Sequence, residues 1–469
     1  MLTFLVVALR PAWPQTDSGE PSFPNEAQSP AQLAPNPDAT PQPTETSPMP
    51  GLNQSTPGSA GPAAPNYLEV AVHVSGGSGT DAYGASGGSS QFSPVGSVLG
   101  SLNLAKLRRR SETAIDYAGG VTFDSGYNHS GWDAQQLQQL DASHRILWRK
   151  AQLTFTDSLS DIHGGNFGLS SFGGASAYNL RFSGDGSRAP ADPDPEPHAG
   201  AVQVGLNRET YITNVSAVEL AWSLAPRSSI FLSGAYLFTD YLGSSQSLIN
   251  GRQISTQAGY KYQLNSKDSV GLVYGYQTFR FSMTTAGAVI TNSVQLVYRR
   301  RISGRMNLVL GAGPEMTNVN GGIAGKTQQV NTAARAALGY LFPRSSLTLS
   351  YSRGATTGYG LFAGGSSNTA QFSVNRAVSR LWQANMSAGY AAVSSLQPAT
   401  DGISGDSYNY AFVGMAVQRR LRHHLNAFAS YQLNDESSFC GGAAGCAPRA
   451  VQHLVQIGID WSFRPIRLE

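Results

Sequence analysis

A two-residue alternation of apolar and polar residues dominates the chain from Tyr67 onward and most constrains its fold. Near the C-terminus, for example, Val455, Ile457 and Ile459 alternate with Gln456 and Gly458. Successive side chains of a β-strand point to opposite faces, so this period predicts strands with one apolar and one polar face. Eighteen such runs lie at 67–76, 98–107, 111–124, 136–148, 150–159, 213–225, 228–239, 252–264, 268–281, 291–301, 305–316, 328–342, 345–356, 369–377, 381–392, 408–419, 423–433 and 450–464.

The connections between these runs alternate in length and composition. Seven short, mostly basic connectors, such as 108–110 and 419–420, join runs 2 and 3, runs 4 and 5, and onward. Longer segments rich in Gly, Ser, Thr and Asn join the other neighbours. Short turns at one end and long loops at the other are typical of barrels that span an outer membrane. We therefore predict an all-β fold, a transmembrane antiparallel up-and-down β-barrel of 16–18 strands, with 18 favoured.

A soluble β-sandwich or propeller is the alternative for so many strands. A propeller would repeat a blade motif about every 40–50 residues, and the sequence has no such repeat. Aromatic residues at the ends of runs, such as Trp148, Trp222 and Trp461, match the interfacial girdle of a membrane barrel. These features favour a barrel in the cell outer membrane, with the N- and C-termini on the periplasmic, short-turn side.

The chain before the first run has a different composition. The apolar stretch Leu2–Leu9 resembles the core of a secretory signal but lacks a preceding basic residue, so we interpret residues 1–15 as a signal-peptide remnant; a short buried strand is the alternative. Residues 16–66 are rich in Pro, Ser and Thr and hold too little apolar area to offset the entropy of ordering. They are predicted to be a disordered linker, and residues 67–469 the barrel.

The two cysteines, Cys440 and Cys446, are separated by five small residues. Such a flexible segment can close a disulfide, which favours an oxidising compartment. A pair of free thiols is the alternative.

No motif in the sequence indicates catalysis. The Gly84–Gly88 segment matches G-x-S-x-G by letters, but it lies in a Gly/Ser-rich loop without the helix that a nucleophile elbow needs. The acidic run Asp192–Glu196 lacks the central glycine turn of a calcium loop, so a solvated loop is favoured there. The net charge of +3, without a basic stripe, gives no reason to expect a nucleic-acid partner. We predict no enzyme activity, no cofactor and no metal.

The polar positions of the runs would face the barrel interior. Charges there either set the ion preference of a pore or form cross-strand salt bridges that keep the wall hydrated. We place Phe155 and Phe231 on the same parity, as candidates for stacking on sugars. The charged residues on this parity are Glu112, Asp116, Asp141, Arg145, Glu219, Lys261, Glu315, Arg335 and Asp460.

Three segments resemble a family of poorly characterised bacterial outer-membrane β-barrel proteins. They are Gly311–Glu315, Tyr351–Gly354 and a C-terminal segment made of the Cys440 and Cys446 pair followed by the stretch from His453 to Ile466. The resemblance extends over about residues 98–469. It implies a barrel and no chemistry. Related 18-stranded barrels are associated with exopolysaccharide secretion beside an export lipoprotein. One departure is that Phe463 is followed by six residues, whereas such barrels usually stop at a terminal Phe or Trp.

Together these features predict a porin-like passive conduit, with secreted exopolysaccharide as a candidate substrate. The alternative is a plugged structural barrel whose external loops bind ligands. The expected partners are outer-membrane lipid, the barrel-insertion machinery and a periplasmic polysaccharide-export protein. The basic turns would pair with lipid phosphates or, alternatively, with an acidic periplasmic partner.

Overall fold

The computed structural model describes residues 66–80, 92–124, 133–162, 210–242, 249–282, 288–320, 326–356, 364–396, 407–422, 424–439 and 450–468. No helix within these ranges is long and apolar enough to cross a membrane. The strands are β1 (Asn66–Thr80), β2 (Phe92–Arg108), β3 (Ser111–Asp124), β4 (Asp133–Leu147), β5 (Ala151–Ile162), β6 (Tyr211–Ala225), β7 (Ser228–Tyr241), β8 (Gly251–Gln263), β9 (Asp268–Phe281), β10 (Ala288–Ser303), β11 (Met306–Asn320), β12 (Lys326–Phe342), β13 (Ser345–Thr356), β14 (Gly365–Ala377), β15 (Trp382–Ser395), β16 (Ser407–Arg422), β17 (Leu425–Phe439), β18 (Ala450–Ser462) and β19 (Ile466–Arg467).

The strands form one closed antiparallel sheet. Each strand from β1 to β18 pairs with its neighbours in the chain, and β18 pairs with β1 from Ala71↔Ser462 to Gly79↔Leu454. Closure leaves neither end strand with a free edge, which is how a sheet can exist without a covering layer. The predicted all-β antiparallel barrel of 18 strands is therefore confirmed, with a short nineteenth strand added.

The two faces of the wall differ in burial and polarity. In β8, Gln253, Ser255 and Gln257 are buried, whereas Ile254 and Tyr260 are exposed. The same alternation continues around the barrel, so the exposed outward face is apolar and the inward face is largely polar. Side chains as apolar as Leu296 (61% exposed) and Ile457 (66% exposed) lie outside. A soluble sandwich would place these residues in its core, so that alternative is wrong for the described chain.

Three tyrosines on the outward face lie near the middle of their strands. In each case the hydroxyl donates a hydrogen bond to an asparagine side chain on the next strand. Each hydroxyl therefore keeps a hydrogen-bond partner on an otherwise apolar face. The pairs are Tyr274–Asn292 at 2.8 Å, Tyr351–Asn368 at 3.3 Å and Tyr390–Asn409 at 3.1 Å.

The residues after Phe463 continue the sheet. The Phe463 amide donates to the Val70 carbonyl at 2.8 Å, and β19 then pairs with Tyr67 and Leu68. The register moves by one residue across Arg464 and Pro465, which sets Ile466 opposite Leu68 on the outward face. The tail therefore stays attached to β1, and both ends of the described chain lie at the short-turn end.

Several predictions concern residues outside the described ranges. These are the signal-peptide remnant (1–15), the linker up to residue 65, the Gly84–Gly88 and Asp192–Glu196 segments, and the Cys440–Cys446 pair. They stay predictions. Asn66 belongs to β1 rather than to the linker. The strand bounds give eight short connectors rather than seven, one at every second connection from β2–β3 to β16–β17.

Candidate functional site: the lumen face

We call the inward-pointing side chains of β1–β18 the lumen face. All nine charged residues predicted for this face lie on its parity, as their register partners and burial indicate: Glu112, Asp116, Asp141, Arg145, Glu219, Lys261, Glu315, Arg335 and Asp460. Glu112 and Arg145 are direct register partners and form an ion pair at 3.2 Å. For this pair the geometry favours the salt-bridge interpretation. The part that the nine residues play in ion preference stays a prediction.

The same parity holds further charged residues that the sequence analysis did not single out. They lie at the ends of strands, where the alternation merges with the turns. Every second residue from an inward residue of the same strand also points inward, so the sequence pattern could have identified them. They are Glu69, Arg299, Arg301, Arg420 and Glu436.

A buried polar cluster lies where the barrel closes between β1 and β18. The Nδ1 atom of His73 lies 2.5 Å from Oδ1 of Asp460, and the Gln418 amide donates to Oδ2 of Asp460 at 3.1 Å. The His73 ring stacks on Phe428 with 4.7 Å between centroids. Both oxygens of the carboxylate are therefore engaged, which offsets the cost of burying it. The histidine was not predicted, although its parity opposite Val72 and Val74 was visible in the sequence.

Neutral amides and a tyrosine form a second inward network on β16–β18. Asn434 accepts hydrogen bonds from the Tyr410 hydroxyl at 3.2 Å and from the Gln432 amide at 3.0 Å. The Asn434 amide in turn donates to Gln452 at 3.3 Å. Because each member is held by another, this part of the lumen face is a fixed, uncharged surface.

Three inward phenylalanine rings lie flat against the wall, each over a glycine of the adjacent strand. A β-carbon added to Gly259 would lie 2.0 Å from the nearest ring atom of Phe231. The corresponding distances from an added β-carbon are 2.2 Å for Gly389 and Phe412, and 2.3 Å for Gly458 and Phe428. Glycine is the residue that lets an aromatic ring approach the backbone this closely.

The assignment of Phe155 to the lumen face is wrong. Its register partners are His144 and Val218, and it is exposed on the apolar outward face. Phe155 and Thr154 alternate in β5, and it is Thr154 that is buried inward. Its side chain therefore points away from any solute in the lumen. Phe231 does lie on the inward face.

The wall turns inward near the long-loop end of β13. The β12–β13 ladder stops at Ala334↔Arg353, so β12 residues 326–333 have no partner in β13. The Ala355 amide instead donates to Oε2 of Glu315 on β11 at 3.3 Å. Farther along, the Gln329 amide donates to the Leu396 carbonyl at 3.3 Å. The ends of β13–β15 are therefore bound to the inner side of β11 and β12.

An apolar cluster fills the space that this inward turn encloses. Its buried members are Phe279, Val289 and Val319 from β9–β11, with Ala355 and Leu396 from the inward segment. Gly364 packs against it with a positive φ of 91°. A β-carbon on Gly364 would lie 3.0 Å from Val289, so both backbone conformation and space require glycine there. We call this group the inner clasp.

Burial on the lumen face is uneven. In β8–β11 and β16–β18 many inward side chains are almost inaccessible, such as Gln257 (1% exposed) and Tyr410 (1% exposed). In β12–β15 most inward positions are half-buried. Other parts of the chain therefore shield the inward side chains of β8–β11 and β16–β18 from water more fully than those of β12–β15.

The short-turn rim is basic and aromatic. Arg419 lies over the Trp382 ring, with 5.2 Å between the guanidinium carbon and the ring centroid. Asp268 at this rim accepts a hydrogen bond from the Tyr298 hydroxyl at 2.7 Å, which holds the pKa of the carboxyl below its usual value. Hydrogen bonding to Asn265 and the charge of Arg300 act in the same direction.

The described residues contain no group of three or more His, Cys, Asp or Glu side chains that could hold a metal ion. His144 lies on the outward face and is hydrogen-bonded to Thr113 at 2.8 Å.

Comparison with known proteins finds similarity among solved structures. No family model and no curated protein matches the chain. It is similar to the structure of Pseudomonas aeruginosa OccK2 (OpdF), with 10% identity, 84% of this chain and 98% of that chain covered, and a TM-score of 0.40. It is also similar to the outer membrane protein OpdK from Pseudomonas aeruginosa, with 10% identity, 84% of this chain and 99% of that chain covered, and a TM-score of 0.39. A third similar structure is that of the ferric citrate transporter FecA in the unliganded form, with 11% identity, 85% of this chain and 79% of that chain covered, and a TM-score of 0.39.

Proposed function

We propose that the protein resides in the cell outer membrane and acts there as a porin-like passive conduit, with secreted exopolysaccharide as its candidate substrate. Membrane placement is supported by the apolar outward face, which would otherwise expose residues such as Leu296 and Ile457 to water. The short-turn end, which carries both ends of the described chain, is assigned to the periplasm.

The observation that carries the conduit proposal is the make-up of the lumen face. It combines fixed neutral amides, such as Asn434 and Gln452, with phenylalanine rings that lie flat on the wall. Amides exchange hydrogen bonds with sugar hydroxyls, and flat aromatic faces stack on the apolar faces of sugar rings. Passage along such a surface needs no energy source and no covalent step. The periplasmic export protein and the insertion machinery remain proposed partners at the short-turn end.

Single-channel recording in planar bilayers tests this proposal. We expect conductance steps of uniform size from the folded full-length protein, and a concentration-dependent reduction of current by a neutral oligosaccharide. An oligosaccharide that leaves the current unchanged, while salt passes freely, would contradict the substrate class but not the conduit.

A plugged barrel whose external loops bind ligands is the second candidate. It is supported by the inner clasp and by the near-complete burial of inward residues such as Gln257 and Thr317. Folded, membrane-inserted protein that passes no current under any applied voltage would favour it over the conduit.

A further inference from the structure

Two arginines face each other directly on the outer surface of the barrel. Arg252 of β8 and Arg280 of β9 are register partners, and both are exposed. They share the outward parity of Ile254 and Tyr274. Like charges at directly opposite positions on one face of a sheet repel each other. The pair therefore weakens the β8–β9 ladder unless something neutralises it.

Nothing in the described part of the chain does so. Among the described residues, none makes an ion pair or a hydrogen bond with either guanidinium. The nearest outward carboxylate by register is Asp240 of β7, one outward position beyond Phe238, the partner of Arg252. Asp240 forms no ion pair with Arg252. The two charges are thus held close together without a counter-charge from these residues.

The height of the pair on the wall matches a lipid headgroup. Arg252 stands eleven residues from the end of β8 at Gln263. At about 3.3 Å per residue and a tilt of about 40°, it lies roughly 28 Å from the short-turn end. The apolar band of outer-membrane barrels is about 25 Å tall. Below the pair the outward face of β9 carries Leu272 and Tyr274, so acyl chains would contact this surface.

We infer that Arg252 and Arg280 clamp the phosphate group of a membrane lipid in the leaflet on the long-loop side. A guanidinium presents paired N–H donors that match phosphate oxygens, and two facing guanidinia can share one phosphate. The shared anion converts the repulsion between them into attraction. This site rests on the proposed membrane placement and is independent of what crosses the lumen.

Binding of a phosphorylated lipid to the full-length protein in nonionic detergent tests the site. The probe is fluorescently labelled diphosphoryl lipid A, titrated against wild type, Arg252→Gln, Arg280→Gln and the double variant. We expect the affinity for the lipid to fall about fivefold in each single variant and roughly 25-fold in the double variant, because each surface arginine contributes about a factor of five. Arg353→Gln is the matched control, since Arg353 is also exposed and outward but has Ala334 and Asn368 as partners. Its affinity should be unchanged.

Three results would overturn the inference. They are an unchanged affinity in the double variant, equal binding of dephosphorylated lipid, and an equal loss in Arg353→Gln. Inorganic phosphate that displaces the lipid at equal concentration would indicate a free-anion site instead. If the double variant does not fold, the Arg280→Gln titration decides.

The failure of the wider proposal would look different. Protein that remains soluble without detergent would disprove the membrane placement. Wild-type protein that binds the lipid but passes no current would disprove only the conduit.

Discussion

The carboxylate of Glu315 on β11 accepts a hydrogen bond from the backbone amide of Ala355 on β13 at 3.3 Å, although β12 lies between these strands in the sheet. The β12–β13 ladder ends two residues earlier, at Arg353. One inward side chain thus supplies the acceptor for an amide beyond the end of the ladder. The bond joins Ala355, a member of the inner clasp, to β11, which lies on the other side of β12.

Replacing Glu315 with alanine should loosen the inner clasp. The Ala355 amide would lose its partner inside the barrel, at a cost of about 1–3 kcal/mol. We expect faster hydrogen exchange at residues 353–356 and, in a conducting barrel, a larger unit conductance. Glu219→Ala, which removes an inward carboxylate from β6, is the control. Unchanged exchange in Glu315→Ala would show that the apolar contacts alone hold the clasp.

Gly389→Ala should displace the Phe412 ring. The added methyl would begin 2.2 Å from the ring, a distance that forces the ring off the wall. Overpacking of this kind costs about 1–3 kcal/mol, measured as a lower urea concentration at half-unfolding. Gly339→Ala is the matched control, because an added β-carbon at Gly339 meets nothing within 4 Å. Equal midpoints for the two variants would contradict the close approach.

His73→Ala should weaken the closure between β1 and β18. It leaves the buried Asp460 carboxylate with Gln418 as its remaining hydrogen-bond donor among those described, and a buried group that loses a hydrogen-bond partner costs about 1–3 kcal/mol, more when it is charged. Asp460→Asn should cost less, because an amide can still bond to the imidazole and leaves no buried charge. The comparison uses urea unfolding in detergent. An Asp460→Asn loss as large as that of His73→Ala would contradict the account.

Charge on the lumen face should set the ion preference of an open barrel. Arg335→Gln removes an inward positive charge and should raise the ratio of cation to anion permeability, whereas Asp116→Asn should lower it. Reversal potentials in a salt gradient measure both effects. Equal ratios in wild type and both variants would indicate that these residues serve the hydration of the wall instead.

Asp268 should make the β8–β9 turn sensitive to acid. The folded state lowers the pKa of this carboxyl. Its contribution to folding stability is therefore complete above the usual pKa of 3.8 and is lost as pH falls through the folded-state pKa. The stability difference between wild type and Asp268→Asn should therefore be present at neutral pH and vanish in strong acid. A difference that persists unchanged at pH 2 would show that the carboxylate charge is not its source.

Some of the lumen face was accessible to prediction because it follows from counting. The parity of Glu112 or Asp460 depends only on its distance along a strand from a known apolar neighbour. Phe155 was misplaced because an aromatic side chain suits either face, so its identity carries no information about direction. Arg299 and Arg420 were missed because they adjoin basic turns, where the alternation no longer distinguishes strand from connector.

The sequence by itself determined that the chain forms antiparallel strands, a number of 16–18 for them and the apolar side of most, because a period of two and alternating connector lengths are local properties. The tertiary structure alone decided which inward groups meet. The pairing of His73 with Asp460 depends on closure between residues 387 positions apart. The bond between Glu315 and Ala355 depends on where one ladder stops. Such contacts arise from the curvature and register of the whole barrel, which no short stretch of sequence encodes.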